Sequence, residues 1–409
     1  MSEKKIIVFV YLPGETVAVP AGIFSHSEKP DIGFFNYGKK FINRKNAMPL
    51  DPIALPLGQQ PKEVTTNGGM YGTFRDAAPD YWGRLVIASE QKLPPEALSE
   101  MDFLLNANAT RVGNLDFRNT PDDPEPLHVP PHFNQMEKIL EAANKIERGD
   151  SVSHHLMHLL NQGTSLGGAR PKSTVEWRNE LWIAKFSARN DTLNIPRVEY
   201  ATMKLARHCG IRIPELHFQS IGKSKVLLVR RFDRKRFKNS WLRNGFLSSL
   251  SLMQWDETDR LSWSYGKMAD TMRRFVSIQE LHEFFRRMVF NILVRNTDDH
   301  PRNHGFIFDN KTIQLSPAYD IVPSITKPGV GTTFFLSMSV GAHGREATLS
   351  NALTWAVRFG LTQGHAIKII QELVETVSQW KDIFLSSGCP DSEIKILEPS
   401  FAKESSKVV

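Results

Sequence analysis

Between Arg295 and Phe308 the chain reads RNTDDHPRNHGFIF, with two aspartates, two histidines and two asparagines between apolar runs. Phosphoryl transfer needs such groups: a carboxylate to orient an attacking hydroxyl and accept its proton, and hard oxygen ligands for Mg²⁺ on nucleotide phosphates. Four residues separate Asp298 from Asn303, and Asp320 lies seventeen residues beyond Asn303. That spacing makes Asp298 the candidate base and Asn303 and Asp320 the candidate Mg²⁺ ligands. Metal hydrolysis by Asp298, Asp299 and His300 is the competing chemistry. Adjacent loop residues seldom aim three side chains at one ion, so Asp299 is read as a bystander.

The elements that must aim these groups follow from periodicity. Leu281, Phe284, Phe285, Met288 and Ile292 recur at helical spacing in Gln279–Asn296, a buried helix that Pro301 keeps from continuing. After the loop, HGFIF, the turn DNK and TIQL read as a β-hairpin with Asp320 at its exit. Upstream, Gly167, Gly168 and Ala169 precede a strand and let backbone N–H groups approach phosphate closely. The spacing is neither that of a Walker loop nor G-x-G-x-x-G. Lys185 lies in the apolar strand LWIAKF and must snorkel or meet an anion. Glu199 opens the next helix, as a partner for that lysine or as a carboxylate favoured by the helix dipole. Arg230, Arg231 and Phe232, in LLVRRFDR, form a candidate nucleotide hinge, the alternative being an edge strand with solvated arginines. His154 and His158 have the i, i+4 spacing of a zinc pair, but His155 stands where the glutamate of H-E-x-x-H would be.

The chain has 409 residues, with 41% apolar and 23% charged residues, which excludes a disordered protein and leaves room for two or three subdomains. Its net charge of +7 is compatible with nucleic-acid contact but is spread without a dense basic block. Cys209 and Cys389 form no C-x-x-C pattern, which argues against a disulfide framework and suits a cytoplasmic setting. IIVFVYL is too short to span a bilayer, so no membrane partner is expected. The expected organisation is a β-rich part over 1–118, a proline-rich linker over 119–133, a strand-and-helix lobe over 134–235 and a mostly helical lobe over 236–409. The fold class is therefore α+β, with a ligand pocket expected between the lobes.

SLGGARPK, WIAKF, VEYATMKLARHCGIRIPE, LLVRRFDR, NTDDHPRNHGF and LSPAYDIVPS, in this order from Gly163 to Ser324, resemble the HipA-type serine/threonine kinases, toxins of bacterial type II toxin–antitoxin pairs. PLDPIALPLG and AAPDYWGR resemble that family's N-terminal region. The resemblance implies a two-lobed protein-kinase-like fold that uses ATP and Mg²⁺. It implies Asp298 as the catalytic aspartate, Asn303 and Asp320 as metal ligands, Lys185 as the nucleotide lysine, and His300 and Arg302 as nucleotide contacts. Ser165 matches the serine that family members autophosphorylate, with Thr164 beside it. Also implied are a helix-turn-helix, HipB-like antitoxin, operator DNA bound through that complex, and a protein substrate such as an aminoacyl-tRNA synthetase. Asp299 stands where some members have glycine, Arg302 where some have lysine, and Arg230 where some are acidic. A small-molecule kinase and a catalytically idle, DNA-bound regulator are the alternative readings.

Overall fold

The computed structural model describes residues 4–126, 129–163, 170–309, 311–325 and 334–401. The chain forms two compact units: Met1–Asn190 with Gln219–Asp256 and Ile307–Lys311, and Asp191–Phe218 with Glu257–Phe306 and Thr312–Val409.

Among its described residues the first unit carries two larger sheets and the two-stranded ladder of Arg234–Phe237 with Ser240–Arg243. One is antiparallel, ordered β4-β3-β2-β1-β5 from β1 (Lys4–Val10), β2 (Val19–Glu28), β3 (Asp31–Tyr37), β4 (Lys62–Val64) and β5 (Leu115–Arg118). Pro13-Gly14 turns the chain between β1 and β2, with Gly14 at φ +82°. Alternation in DIGFFNY sends Gly33, Phe35 and Tyr37 inward. Phe24, Phe35, Phe74 and Phe117 meet there edge to face. The proline-rich stretch 119–132 forms no helix or strand among its described residues, since proline can donate to no ladder.

The other sheet runs β6 (Lys172–Trp177), β7 (Glu180–Lys185), β9 (Ser224–Arg230) and β8 (Leu216–Ile221). Arg178 and Asn179, both left-handed at φ +54° and +59°, close the β6–β7 hairpin as the strand twist requires. Val175, Trp182, Ala184 and Leu228 share one face and pack against Ile139, Leu140, Leu156 and Leu160. These come from the helices Met136–Arg148, ended by a left-handed Gly149, and His154–Asn161, capped by Ser153.

The second unit is mostly helical, built on Ile195–His208, Tyr265–Met272, Ile278–Leu293, Gln363–Ser378, Trp380–Ser386 and Asp391–Leu397. The five apolar positions at helical spacing in Ile278–Leu293 are all buried. Two boundaries differ from the sequence reading. Ile195–His208, expected in the strand-and-helix lobe, belongs to the helical unit because it packs on Trp380–Ser386 and Arg197 pairs with Glu393 at 2.5 Å. Residues 236–256, expected in the helical lobe, belong to the first unit. Strands Ser240–Arg243 and Gly245–Ser248 lie there, and Ser248 donates to Asp76 through its amide (2.7 Å) and hydroxyl (2.8 Å).

Candidate active site

In the second unit, helix Ile278–Leu293 runs into a reversal at Arg295, which is left-handed at φ +49°. The loop that follows alternates in burial. Asp298 is exposed, Asp299 buried, His300 half-buried and Asn303 buried. The Asp298 carbonyl accepts from the His300 amide (2.9 Å) and from Asn303 Nδ2 (3.2 Å), and the Asn303 amide donates to the His300 carbonyl (2.9 Å). These bonds curl the D-x-x-x-x-N stretch into one turn, Pro301–Asn303, before strand Gly305–Phe308. The Asp298 carboxylate is left facing solvent.

Strand Ile313–Leu315 completes the expected hairpin, and the Ser316 amide donates to the Gly305 carbonyl (2.8 Å). The segment that leaves it is tied back to the loop. Tyr319 OH donates to the Arg302 carbonyl (2.7 Å), the Thr297 amide to Ser324 Oγ (3.1 Å), and the Ser324 amide to the Arg295 carbonyl (3.0 Å). Asp320, half-buried, sits within this strap at φ +60°. A left-handed non-glycine residue costs on the order of 1 kcal/mol, least for Asp and Asn, and persists where its surroundings impose it. The structure therefore places Asp298, Asn303 and Asp320 on one strapped loop system.

The donor set fits a hard cation. Asn303 engages its amide nitrogen on Asp298, which leaves Oδ1 to face a metal, and Asp320 adds a carboxylate. Mg²⁺ is held by one or two protein oxygens of this kind together with substrate phosphates. Among the described residues, no group of three His, Cys, Asp or Glu forms a protein-only metal site. Arg302 donates from Nε to Glu257 Oε1 (2.6 Å) in an ion pair, both side chains remaining about one-third exposed. Glu199 is buried in the first turns of Ile195–His208.

The remaining candidates lie in the first unit. Lys185, half-buried on β7, stands opposite Lys172 on β6 and Leu227 on β9. Residues directly opposite share a face, so Lys172 and Lys185 project on the same side. Lys172 is itself buried, with Asp80 Oδ2 at 3.8 Å. Burial pushes the Asp80 carboxyl up to about 6 against the opposing pull of Lys172. Gly167, Gly168, Ala169 and Ser165 lie outside the described residues.

The hinge reading needs correction at Arg231. This residue is 3% exposed, and its guanidinium donates to Asp233 from Nε (2.9 Å) and Nη2 (2.7 Å), to the Arg111 carbonyl (3.1 Å), and to the Thr110 carbonyl. Its amide donates to the Leu181 carbonyl (2.8 Å). The guanidinium and the amide are thus both engaged inward. Asp233 also accepts from Arg234 (2.8 Å) and the Gly113 amide (3.0 Å), and the two arginines hold its carboxyl far below the usual range against the cost of burial. Arg231, Asp233 and Arg234 accordingly form a buried brace on loop Thr110–Gly113. Arg230 pairs with Glu180 at 2.6 Å, and the Phe232 ring lies 6.4 Å from that of Phe246.

Sequence reasoning also missed Asp299. It is 1% exposed, and its Oδ1 lies 2.9 Å from Nε2 of the equally buried His304. Its position in a polar loop without periodicity gave no signal of burial.

Comparison with known proteins identifies the family and the fold. The family model for the HipA-like C-terminal domain matches residues 164–381. A Sinorhizobium fredii protein, Y4dM, named for an inferred kinase activity, is 29% identical over 157 residues, 35% of this chain and 37% of its own length. The match thus spans little more than a third of that relative. A second protein of that organism, Y4mE, named likewise, is 23% identical over 346 residues, 78% of each chain. Shewanella oneidensis HipA, solved with HipB and operator DNA, matches with a TM-score of 0.68 at 15% identity, covering 97% of this chain and 94% of its own. That likeness establishes the fold, α+β and protein-kinase-like. With its model matching more than half of the residues, the chain belongs to the family of the HipA-like C-terminal domain.

Proposed function

We propose that this protein is an ATP- and Mg²⁺-dependent serine/threonine protein kinase acting as a toxin. The observation that carries the reading is the solvent-facing Asp298 on a loop strapped to the segment bearing Asp320. An exposed carboxylate held by its own backbone can accept the proton of an incoming serine or threonine hydroxyl as that oxygen attacks the γ-phosphorus of ATP. Asn303 Oδ1 and Asp320 would hold Mg²⁺, which when bound neutralises charge on the phosphates. Lys185 supplies a further cation for the nucleotide from a rigid strand. His300 and Arg302 serve the nucleotide from the catalytic loop, Arg302 exchanging Glu257 for phosphate. Gly167, Gly168, Ala169, Arg230 and Phe232 complete the nucleotide contacts.

The substrate we infer is a protein of the translation apparatus, such as an aminoacyl-tRNA synthetase. Phosphorylation of the enzyme's own Ser165 would add nearly two negative charges to the glycine segment and silence it. A HipB-like antitoxin and, through it, operator DNA are the partners in this reading, which the fold shared with Shewanella HipA supports. The setting is cytoplasmic; among the described residues no helix is long and apolar enough to cross a membrane.

Expression of the wild type should arrest growth, and Asp298→Ala should relieve the arrest. Phosphopeptides that accumulate with the wild type alone identify the substrate. Equal arrest by both forms would favour an idle regulator over a kinase. Normal self-labelling by Ser165→Ala would move the modification to Thr164 or elsewhere.

A further inference from the structure

The pair Asp299–His304 takes no part in the proton transfer or cation binding described above. A core gains little from burying a carboxylate beside an imidazole, since desolvation offsets their attraction. Its location supplies a reason. Asp299 directly follows Asp298, and His304 directly follows Asn303, so the contact bridges the two ends of the catalytic loop from behind. The 2.9 Å approach is a close polar contact that lacks the alignment of a hydrogen bond.

The His304 ring is in turn fixed between aromatic edges. Tyr265 lies at 5.5 Å and 68°, and Phe284, on the helix that leads into the loop, at 5.2 Å and 87°. Asn291 Nδ2 donates to Tyr265 OH (3.2 Å), and Asn296 Nδ2 donates to Asn291 Oδ1 (3.2 Å). A polar chain therefore runs from the helix to the start of the loop beside an aromatic clamp on its end.

We propose that Asp299 and His304 are positioning residues, a tie across the back of the loop that sets the separation of Asp298 and Asn303. On the front, the backbone bonds between Asp298, His300 and Asn303 and the Asn303 Nδ2 bond to the Asp298 carbonyl span that separation. A displacement of about 1 Å between reacting groups lowers rate by up to ~100-fold. The inference rests on the kinase reading.

The test uses the full chain as Asp299→Leu, His304→Phe and the double variant. Turnover and half-saturating Mg²⁺ are measured for each, with the melting temperature and with binding of a fluorescent ATP analogue in the absence of cation. Each single variant should lose ~10- to 100-fold in turnover, need several-fold more Mg²⁺, and bind the analogue as wild type does. The double variant replaces both buried polar partners with apolar groups, so its melting temperature should recover toward wild type while turnover stays low. Turnover and Mg²⁺ dependence that recover together with stability, or single variants with wild-type turnover, would overturn the proposal. A single variant that does not fold leaves the double variant to decide. An inactive wild type would sink the kinase reading itself and the tie with it, a result distinct from an active wild type with indifferent variants.

Discussion

Asp233→Asn is the perturbation whose size the structure fixes best. The carboxylate accepts two bonds from Arg231 (2.9 and 2.7 Å), one from Arg234 (2.8 Å) and one from the Gly113 amide (3.0 Å). It is 4% exposed, as is Arg234, and Arg111 and Arg243 are buried in the same unit. Asparagine keeps the shape, removes the negative charge that Arg231 and Arg234 share, and turns a donor toward donors. Breaking a buried ion pair costs about 3–5 kcal/mol. For units of this size each kcal/mol lowers the melting temperature by about 2–4 °C, so a fall of roughly 6–20 °C is expected. The acid limb follows from the same carboxyl, whose folded value is depressed. Its contribution is fully present above the ordinary carboxylate range and is lost only as pH falls below about 4. Urea and thermal unfolding of the full chain at pH 7 and pH 3 provide the assay. A loss under about 1 kcal/mol at pH 7 would show that the brace is not a cooperative charge cluster.

Asp51, buried with its Oδ1 accepting from the amides of Ile53 (2.8 Å) and Ala54 (2.9 Å), is pushed by burial up to about 6. An acid raised in the folded state binds a proton there that the unfolded chain has released, so stability falls as pH rises from about 4 to 6. Asp51→Asn should remove roughly 3 kcal/mol of that decline, read as a flatter plot of melting temperature against pH; an unchanged slope would contradict it. Lys185→Met should weaken ATP binding about tenfold or more at unchanged melting temperature, checked by calorimetric titration. Glu257→Gln should release Arg302 and lower the KM for ATP several-fold with little change in kcat, and a raised KM would show that Glu257 helps the nucleotide instead.

How much was legible in the chain depended on periodicity. The apolar positions of Ile278–Leu293 and the apolar run Gly305–Phe308 before a polar turn carried their own signal for the elements that flank Asp298 and Asn303. The left-handed turn at Asp320 was invisible because nothing local demands it; the bonds of Tyr319 and Ser324 to the loop impose it. Arg231 looked like a hinge arginine since its partners Thr110 and Arg111 lie about 120 residues upstream. The signal that could have corrected it is RRFDR itself, an aspartate between two arginines at a strand end, a pattern able to close on itself when buried. The unit boundary was missed for a related reason. Helix Ile195–His208 follows a strand in sequence, but its buried face and Arg197 belong with the C-terminal helices.

The central claim is that this loop transfers a phosphoryl group with Asp298 as base. Its most direct test is a single-turnover measurement with γ-labelled ATP, Mg²⁺ and the purified chain, comparing wild type with Asp298→Asn, which keeps the exposed side chain's size. Wild type should move label onto serine or threonine hydroxyls, and the variant should do so ~10²- to 10⁴-fold more slowly while binding ATP equally well. A wild type that binds no nucleotide and moves no label, or a variant that labels at the wild-type rate, would contradict the account.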